Sequence, residues 1–398
     1  MMKRIFTIAF VLTGLMSGLC KPLQAQDSLP SIKTWRIGIF APVYLDSVMK
    51  NGVFPYDKTF PRFVLPGLDF IQGAQVALDS MPIYQSRIDA RIYDSKSKTE
   101  PVSELISQQK LDSLDLIIGS VKDEEYLQLA AFAKQKRIPF VSATYPNDGG
   151  VTDNDYLLIL NSTLKAHCEA IFGYLLQNHG TDNVLLARQS GTQEDKVEGY
   201  FTQLNSPDEW ELMKIRRFQT DSNFAALKFQ LDSTKDNIII GASLDENFAS
   251  ALAHASASLS KKYRIKLIGM PNWELFGSFM NPKKASLGEF PIYYTSPYFH
   301  LKQDMNSRIL QDVYLKKYKG KPSDHAYKGF ETVYLFSKLL SMYGRNMMNH
   351  LNDYPYKIFT EYRFRPVIND KKSRIIDYYE NKQLYFLKIQ QQQISKAW

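Results

Sequence analysis

LDLIIGSVKDEEYLQLAAFAKQKRIPFVSATY, residues 114–145, decides the fold class. Its apolar runs at 116–119 and 138–142 are short and continuous, as strands covered on both faces of a parallel sheet must be. Between them Asp123 opens an acid-started amphipathic helix that ends at Lys136. Such a unit brings the carboxyl ends of its two strands to one sheet edge, where ligands of open α/β sheets bind. That edge carries Gly119-Ser120-Val121-Lys122 beside Ser142-Ala143-Thr144-Tyr145. The unit locates a candidate site without naming a ligand.

Outward from it the same alternation continues. Residues 35–40 read as a first strand, Leu68, Ile71, Ala74, Leu78 and Met81 as a helix face, and 88–93 as a strand ending at Asp94. The pattern then restarts with a helix over 163–178, a strand over 184–187 and a weak capping box at Thr192 and Asp195. A helix over 224–231, a strand at 237–241, a helix over 248–259 and a strand at 265–269 follow. Two consecutive series suggest two lobes rather than one giant sheet. Late in the chain, helices over 304–318 and 325–342 precede an expected hairpin, 375–379 and 384–389 around Glu380-Asn381-Lys382. Gln390 to Gln393 reads as a fraying end.

Residues 1–25 read as a secretory signal: Lys3-Arg4, an apolar stretch from Ile5 to about Leu19, then Leu23-Gln24-Ala25 before Gln26. A lipid-modified cysteine of the lipobox type follows a small residue, whereas Leu19 precedes Cys20, which favours a soluble exported protein over a lipoprotein. Cleavage leaves 373 of 398 residues, enough for two cores, and Cys168 as the only thiol, so stability rests on burial. Loss of Lys3, Arg4 and Lys21 takes the net charge from +8 to +5. Late basic residues (Lys316-Lys317, Lys319, Lys321, then 363–374) read first as a solvated face and second as contact with an anionic surface.

The ordered set of elements resembles the type I periplasmic-binding fold, best known from branched-chain amino-acid-binding proteins. The resemblance rests on RIGIFAPV (36–43), LPGLDFIQGAQVALDS (65–80), LDLIIGS with RIPFVSATYPND, NIIIGASLDENF (237–248), KLIGMPNW (266–273) and the late helix pair within 298–340. The late sequence also looks like Bacteroidetes-type envelope proteins of this fold that often carry LysM modules, for which there is no room before Trp35. The resemblance implies an α/β architecture of two doubly wound parallel-sheet lobes joined by three crossovers, with a ligand cleft between them. The crossovers fall near 160–162, 295–297 and 362–364. Lobe 1 then comprises 33–161 plus 298–361, and lobe 2 comprises 162–297 plus 362–394.

Amino-acid-binding relatives use small hydroxyl residues at a helix start for the ligand carboxylate, which free N–H groups and the dipole attract. Here the matching stretch is Lys122-Asp123-Glu124-Glu125, whose acids repel a carboxylate. The acid that follows a Gly-Pro turn in the family is replaced in Gly269-Met270-Pro271-Asn272-Trp273. A free α-amino acid bound in the usual way is therefore not expected. The candidate ligand residues are Ser120, Lys122, Ser142, Thr144, Tyr145, Arg188, Ser243, Asn272 and Trp273, with Trp273 stacking on an apolar ligand face. Loop caps, lobe packing and ion pairing are the competing readings of these residues. The aromatic, proline-rich loop 51–67 reads as a lid, a partner surface or a satellite cluster.

No HExxH, Walker loop, GxGxxG or GxSxG is present, and the six histidines form no close pair, so neither metal, cofactor nor catalytic residues are expected. His167 and Cys168, adjacent on a helix, do not face each other. Nucleic acid is not an expected partner. The sequence reads as an exported solute-binding protein that takes a small polar or mixed polar/aromatic ligand, with a membrane permease or a sensor as its onward partner. The competing reading is an envelope scaffold that binds cell-wall machinery or a protein.

Overall fold

The apolar runs form the inner strands of two sheets, described in a computed structural model over residues 33–49, 52–56, 60–81, 87–207, 210–220, 224–281, 287–353, 357–370, 372 and 374–398. The expected signal with Cys20, and part of the 51–67 loop, lie outside the described residues. In chain order the first lobe's strands begin with β1 (Trp35–Ala41), β2 (Ile88–Asp94), β3 (Leu116–Gly119), β4 (Phe140–Ser142) and β5 (Leu157–Ile159). The second lobe's are β6 (Asn183–Arg188), β7 (Ile215–Gln219), β8 (Asn237–Gly241), β9 (Ile265–Ile268) and β10 (Ile292–Ser296). Four late strands follow: β11 (Phe364–Val367), β12 (Tyr378–Asn381), β13 (Tyr385–Gln390) and β14 (Gln393–Lys396).

The first sheet has the order β11-β12-β5-β4-β3-β1-β2 and the second β14-β13-β10-β9-β8-β6-β7. All pairings are parallel except β11 with β12, β10 with β13, and β13 with β14. Strands β3, β4, β6 and β8 are buried along their whole length. Continuous hydrophobicity marks strands with helices on both faces, which is why the sequence shows them without alternation.

The late strands differ from expectation. β12 lies in the first sheet and β13 in the second, so Glu380-Asn381-Lys382 is the third crossover rather than a hairpin turn. Residues 362–381, placed with the second lobe from sequence, supply two strands to the first. Asn381 explains why: it is fully buried, where a turn residue would be wet. Its Oδ1 accepts from the Arg363 and Gln383 amides, both at 3.1 Å, and its Nδ2 reaches the carbonyls of Leu160 (3.5 Å) and Gln383 (3.2 Å). The true hairpin joins β13 and β14, with Gln391 and Gln392 at φ 51° and 60°; two successive positive φ values suit the right-handed twist of the flanking strands. The chain end does not fray: Trp398 stacks on Tyr174, centroids 4.4 Å apart.

Two local readings also change. Gly191, not Thr192, precedes the helix Thr192–Asn205, and no side chain caps it. Residues 224–230 form a 3₁₀ helix rather than an α-helix, burying Phe224 and Leu227 at the spacing of three that a 3₁₀ turn repeats.

The helices that matter for the site are α1 (Leu65–Ser80), α2 (Asp123–Lys136), α3 (Leu164–Asn178), α4 (Thr192–Asn205) and, late in the chain, α5 (Asp324–Tyr343). α1 and α5 cross through reciprocal glycines. A Cβ on Gly73 would strike the Ala326 carbonyl, and one on Gly329 the Phe70 carbonyl. A second clasp is Glu331 of α5, fully enclosed. Its Oε1 accepts from the amides of Phe359 (2.9 Å) and Thr360 (2.6 Å), and its Oε2 from the hydroxyls of Thr360 (2.8 Å) and Tyr362 (3.1 Å). Burial nevertheless raises its pKa, because desolvation outweighs even four donors.

Gly329→Ala should destabilise the protein. The gain in helix propensity is about 1 kcal/mol, whereas a methyl forced against backbone costs roughly 1–3 kcal/mol or more; urea denaturation gives the net sign. His167 supplies a pH-dependent term. Burial, assisted by Lys382, lowers its pKa from 6.5 to about 3, so the unfolded chain binds one more proton between those values. Its contribution to stability is complete above pH 6.5 and is lost as pH falls toward 3, with a slope of at most about 1.4 kcal/mol per pH unit. His167→Gln should flatten the stability–pH curve in that window, which chemical denaturation at a series of pH values measures.

Candidate functional site

At the first lobe's carboxyl edge, β1 runs into a loop held by Asp94 at the end of β2. Its Oδ1 accepts from the Val43 and Tyr44 amides at 2.9 and 3.1 Å, and its Oδ2 from Leu45 at 2.7 Å. Next to it, β3 and β4 deliver Ser120 and Thr144, whose hydroxyls lie 3.0 Å apart. Asn161 donates to the Thr144 carbonyl at 2.7 Å. Tyr145 packs edge-on against Tyr126 and points its hydroxyl at Asp123, 3.4 Å away. Ser142 is fully buried, and its hydroxyl has no partner among the described residues. Lys122 does not join this group: two-thirds of its side chain is exposed, and Nζ lies 3.8 Å from Asp123.

The second lobe's edge is closed by its own hydrogen bonds. Arg188 is 2% exposed and is held by Asp195 at 2.5 Å, by Glu198, and by the Gln189 carbonyl at 2.9 Å. A buried cation with two carboxylates needs no further anion. Ser243 donates to Glu194 at 2.6 Å, and Asn272 to the Leu244 carbonyl at 2.8 Å. Trp273 departs furthest from the expected stacking role. It is wholly buried, donates Nε1 to the Ser243 carbonyl at 2.9 Å, and covers Gly241 and Gly269. A Cβ on either glycine would collide with its ring. The indole needs flat backbone to lie on, and two strand-end glycines supply it. Trp273 is a core residue of the second lobe.

Sequence reasoning missed four residues here. Glu274 of the second lobe lies beside Tyr294, and burial raises its pKa while Lys328 of α5 opposes that. Lys328 sits 4.0 Å from the Tyr298 ring centroid, and the Tyr298 hydroxyl donates to the Ala143 carbonyl at 3.0 Å, between Ser142 and Thr144. His325, one turn earlier on α5, leaves Nδ1 buried and unpartnered among the described residues. Lys328 and Glu274 thus belong to different lobes and feel each other's charge. The available signals were an acid three residues beyond Pro271 and a lysine beside a glycine in a largely apolar helix.

Residues 65–357 match the family model described as periplasmic binding protein. The chain belongs to that family, in its type I branch. Among solved structures similar to it, a protein described as a branched-chain amino acid ABC transporter from Rhodospirillum rubrum gives a TM-score of 0.63 at 11% identity, over 92% of this chain and 100% of that one. An ABC transporter substrate-binding protein from Desulfitobacterium hafniense, in complex with Leu, gives 0.55 at 13% over 92% and 100%. A branched chain amino acid ABC transporter periplasmic ligand-binding protein from Burkholderia xenovorans LB400 gives 0.55 at 13% over 89% and 90%. Identities this low establish the fold alone. No curated protein sequence matches the chain.

In this periplasmic-binding fold the second edge ties Arg188, Ser243 and Trp273 into its own hydrogen bonds and leaves Asn272 Oδ1 buried without a partner among the described residues, while the first edge pairs the Ser120 and Thr144 hydroxyls. Trp273→Ala should cost about 3–5 kcal/mol, the range for emptying a large aromatic site in a core. Denaturant unfolding tests this. Wild-type stability in that variant would return Trp273 to the list of ligand contacts.

Proposed function

We propose that this chain is an exported solute-binding protein that holds a small polar ligand between its lobes by hinge closure. The carrying observation is the Ser120–Thr144 hydroxyl pair at the first lobe's edge, with Tyr298 bonded to the Ala143 carbonyl of the same strand end. Family membership and the leader-like residues 1–25 support export to the periplasm, with a membrane permease as recipient. No helix among the described residues is long and apolar enough to cross a membrane. The ligand contacts both lobes only when they are closed, and that difference in affinity drives closure. Against a free α-amino acid in the usual pose stand the acids Asp123 and Glu124 at the start of α2, both exposed, and the missing acid directly after Pro271.

A second reading, an envelope scaffold, is favoured by one observation. The loop over the first lobe exposes Val53 (66%), Phe60 (46%) and Phe63 (53%).

Thermal unfolding against amino acids, peptides, sugars, nucleobases and muropeptides separates the two. A ligand at 100 times its Kd stabilises by about 2.7 kcal/mol, a rise in Tm of roughly 2 °C for a chain this long, so a dose series is needed. Solute binding predicts a saturable rise that is lost in the double variant Ser120→Ala, Thr144→Val. A flat response to every small molecule, with a response to muropeptides or partner protein that survives that variant, would replace solute binding with the scaffold.

A further inference from the structure

We propose that the outer face of the helix Met305–Tyr318 docks this protein on an anionic phospholipid surface. One side of that helix is clamped to the first lobe. Leu310 and Tyr314 are buried in a cluster with Val76 of α1 and with Ala326 and Tyr327 of α5. The Tyr314 hydroxyl donates to Gln72 of α1 at 2.5 Å, and Lys317 pairs with Asp79 of α1. So held, the helix cannot roll its outer face inward. On a surface helix that face is normally polar. Here Met305, Ile309 and Val313 follow one another at intervals of four residues, which places them on one stripe. Leu315 flanks the stripe, and Leu301 lies just before the helix. All five are exposed, Met305 at 77% and Leu301 at 63%. Single exposed apolar residues need no explanation, but five grouped on one helix and its approach mark a contact surface.

The charges around the stripe agree in sign. Residues 301–321 carry six cations and two acids. Lys302 and Lys317 are paired with Asp324 and Asp79, and Asp304 is engaged as the N-cap, accepting from the Ser307 amide at 3.0 Å. Arg308, Lys316, Lys319 and Lys321 are exposed and have no ion-pair partner among the described residues, against one acid without a partner there, Asp312. Helix-end electrostatics account for Lys316 in the last turn. They do not account for Arg308 near the start, where the dipole opposes a cation, nor for Lys319 and Lys321 beyond the end. Charge therefore favours an anionic partner, and the mixing of lysine with apolar residues favours lipid over protein. Lysine is depleted from the cores of protein interfaces, where its ammonium would lose water. At a lipid surface it lays its stem along the apolar layer while the ammonium reaches the phosphates. Lys316, seven residues past Ile309 and three past Val313, continues the apolar stripe and suits the second setting.

The test is co-sedimentation of the purified full chain with vesicles of phosphatidylglycerol and phosphatidylcholine in equal parts, beside vesicles of phosphatidylcholine alone. Saturable binding to the mixed vesicles is expected, about tenfold or more tighter than to the neutral ones. It should be lost at about 1 M salt, where the Debye length is about 3 Å. The double variant Arg308→Gln, Lys316→Gln should weaken it about fivefold per charge removed. The double variant Met305→Ser, Ile309→Ser should weaken it about tenfold or more. Tm should not change in either, because all four positions are exposed. Phe60→Ser, Phe63→Ser, in the other exposed apolar region of this lobe, should bind like the wild type. No binding, or equal binding to both vesicle types, overturns the proposal. So does binding that survives both helix variants, as insertion by residues 1–25 would produce, or binding lost only in the Phe60, Phe63 variant. Binding of polyglutamate in place of vesicles, sensitive to the same helix variants, would reassign the face to an acidic polypeptide.

Discussion

Asn381 is the residue on which the two-lobe arrangement depends. Its side chain has two acceptor lone pairs and two N–H donors, spent on Leu160 and Gln383 at two crossovers and on Arg363 ahead of β11. Its own carbonyl accepts from the Ser162 hydroxyl at 2.7 Å. Beside it, Glu380 accepts from the Thr163 amide at 2.6 Å and faces Lys382 at 2.6 Å, which in turn reaches Glu169 of α3 at 2.7 Å. The remaining crossover joins through His167, whose Nδ1 lies 2.7 Å from the Thr295 hydroxyl. Three chain passages are thus fastened by groups that would be costly to bury unpaired. Such a knot resists separation of the passages it joins.

On the first lobe the knot is complemented by the α1–α5 crossing. Glycines at 73 and 329 let the two helices approach until backbone meets backbone, and Glu331 fixes the following segment. Close approach without side chains between leaves little slack, so the residues flanking Gly329 have fixed positions.

Much of this was legible in the sequence because burial on both faces writes itself as uninterrupted apolar runs. Residues 116–119 and 237–241 each emerge as strands at the expected positions, and Asp123–Lys136 as the helix between strands. The late strands were not legible for a definite reason. Tyr378–Asn381 and Tyr385–Gln390 are close in sequence, and Glu380-Asn381-Lys382 has the composition of a turn. Only tertiary partners reveal that the asparagine is buried and its neighbours belong to different sheets. Trp273 misled in the opposite direction. An aromatic in a strand-end loop suits a ligand pocket equally well, and what assigns it to the core is the pair of glycines beneath it, distant in sequence from each other.

The contrast between the two edges carries the functional argument further than any single contact. Arg188 ends β6 in the second lobe and is buried, whereas Lys328 lies within α5 of the first and is half-buried. Arg188 has its carboxylates built in, Asp195 and Glu198 on the neighbouring helix α4. A guanidinium so paired serves the fold, because releasing either acid to admit a ligand would strand a charge in a dry place. Lys328 lies over the Tyr298 ring, which attracts a cation but cannot neutralise it. No carboxylate among the described residues lies within ion-pair distance of it, yet Asp324 and Glu274 both act on its charge. One cation is thus neutralised by direct contact and the other through space, so removing a single acid should matter far more at Arg188 than at Lys328.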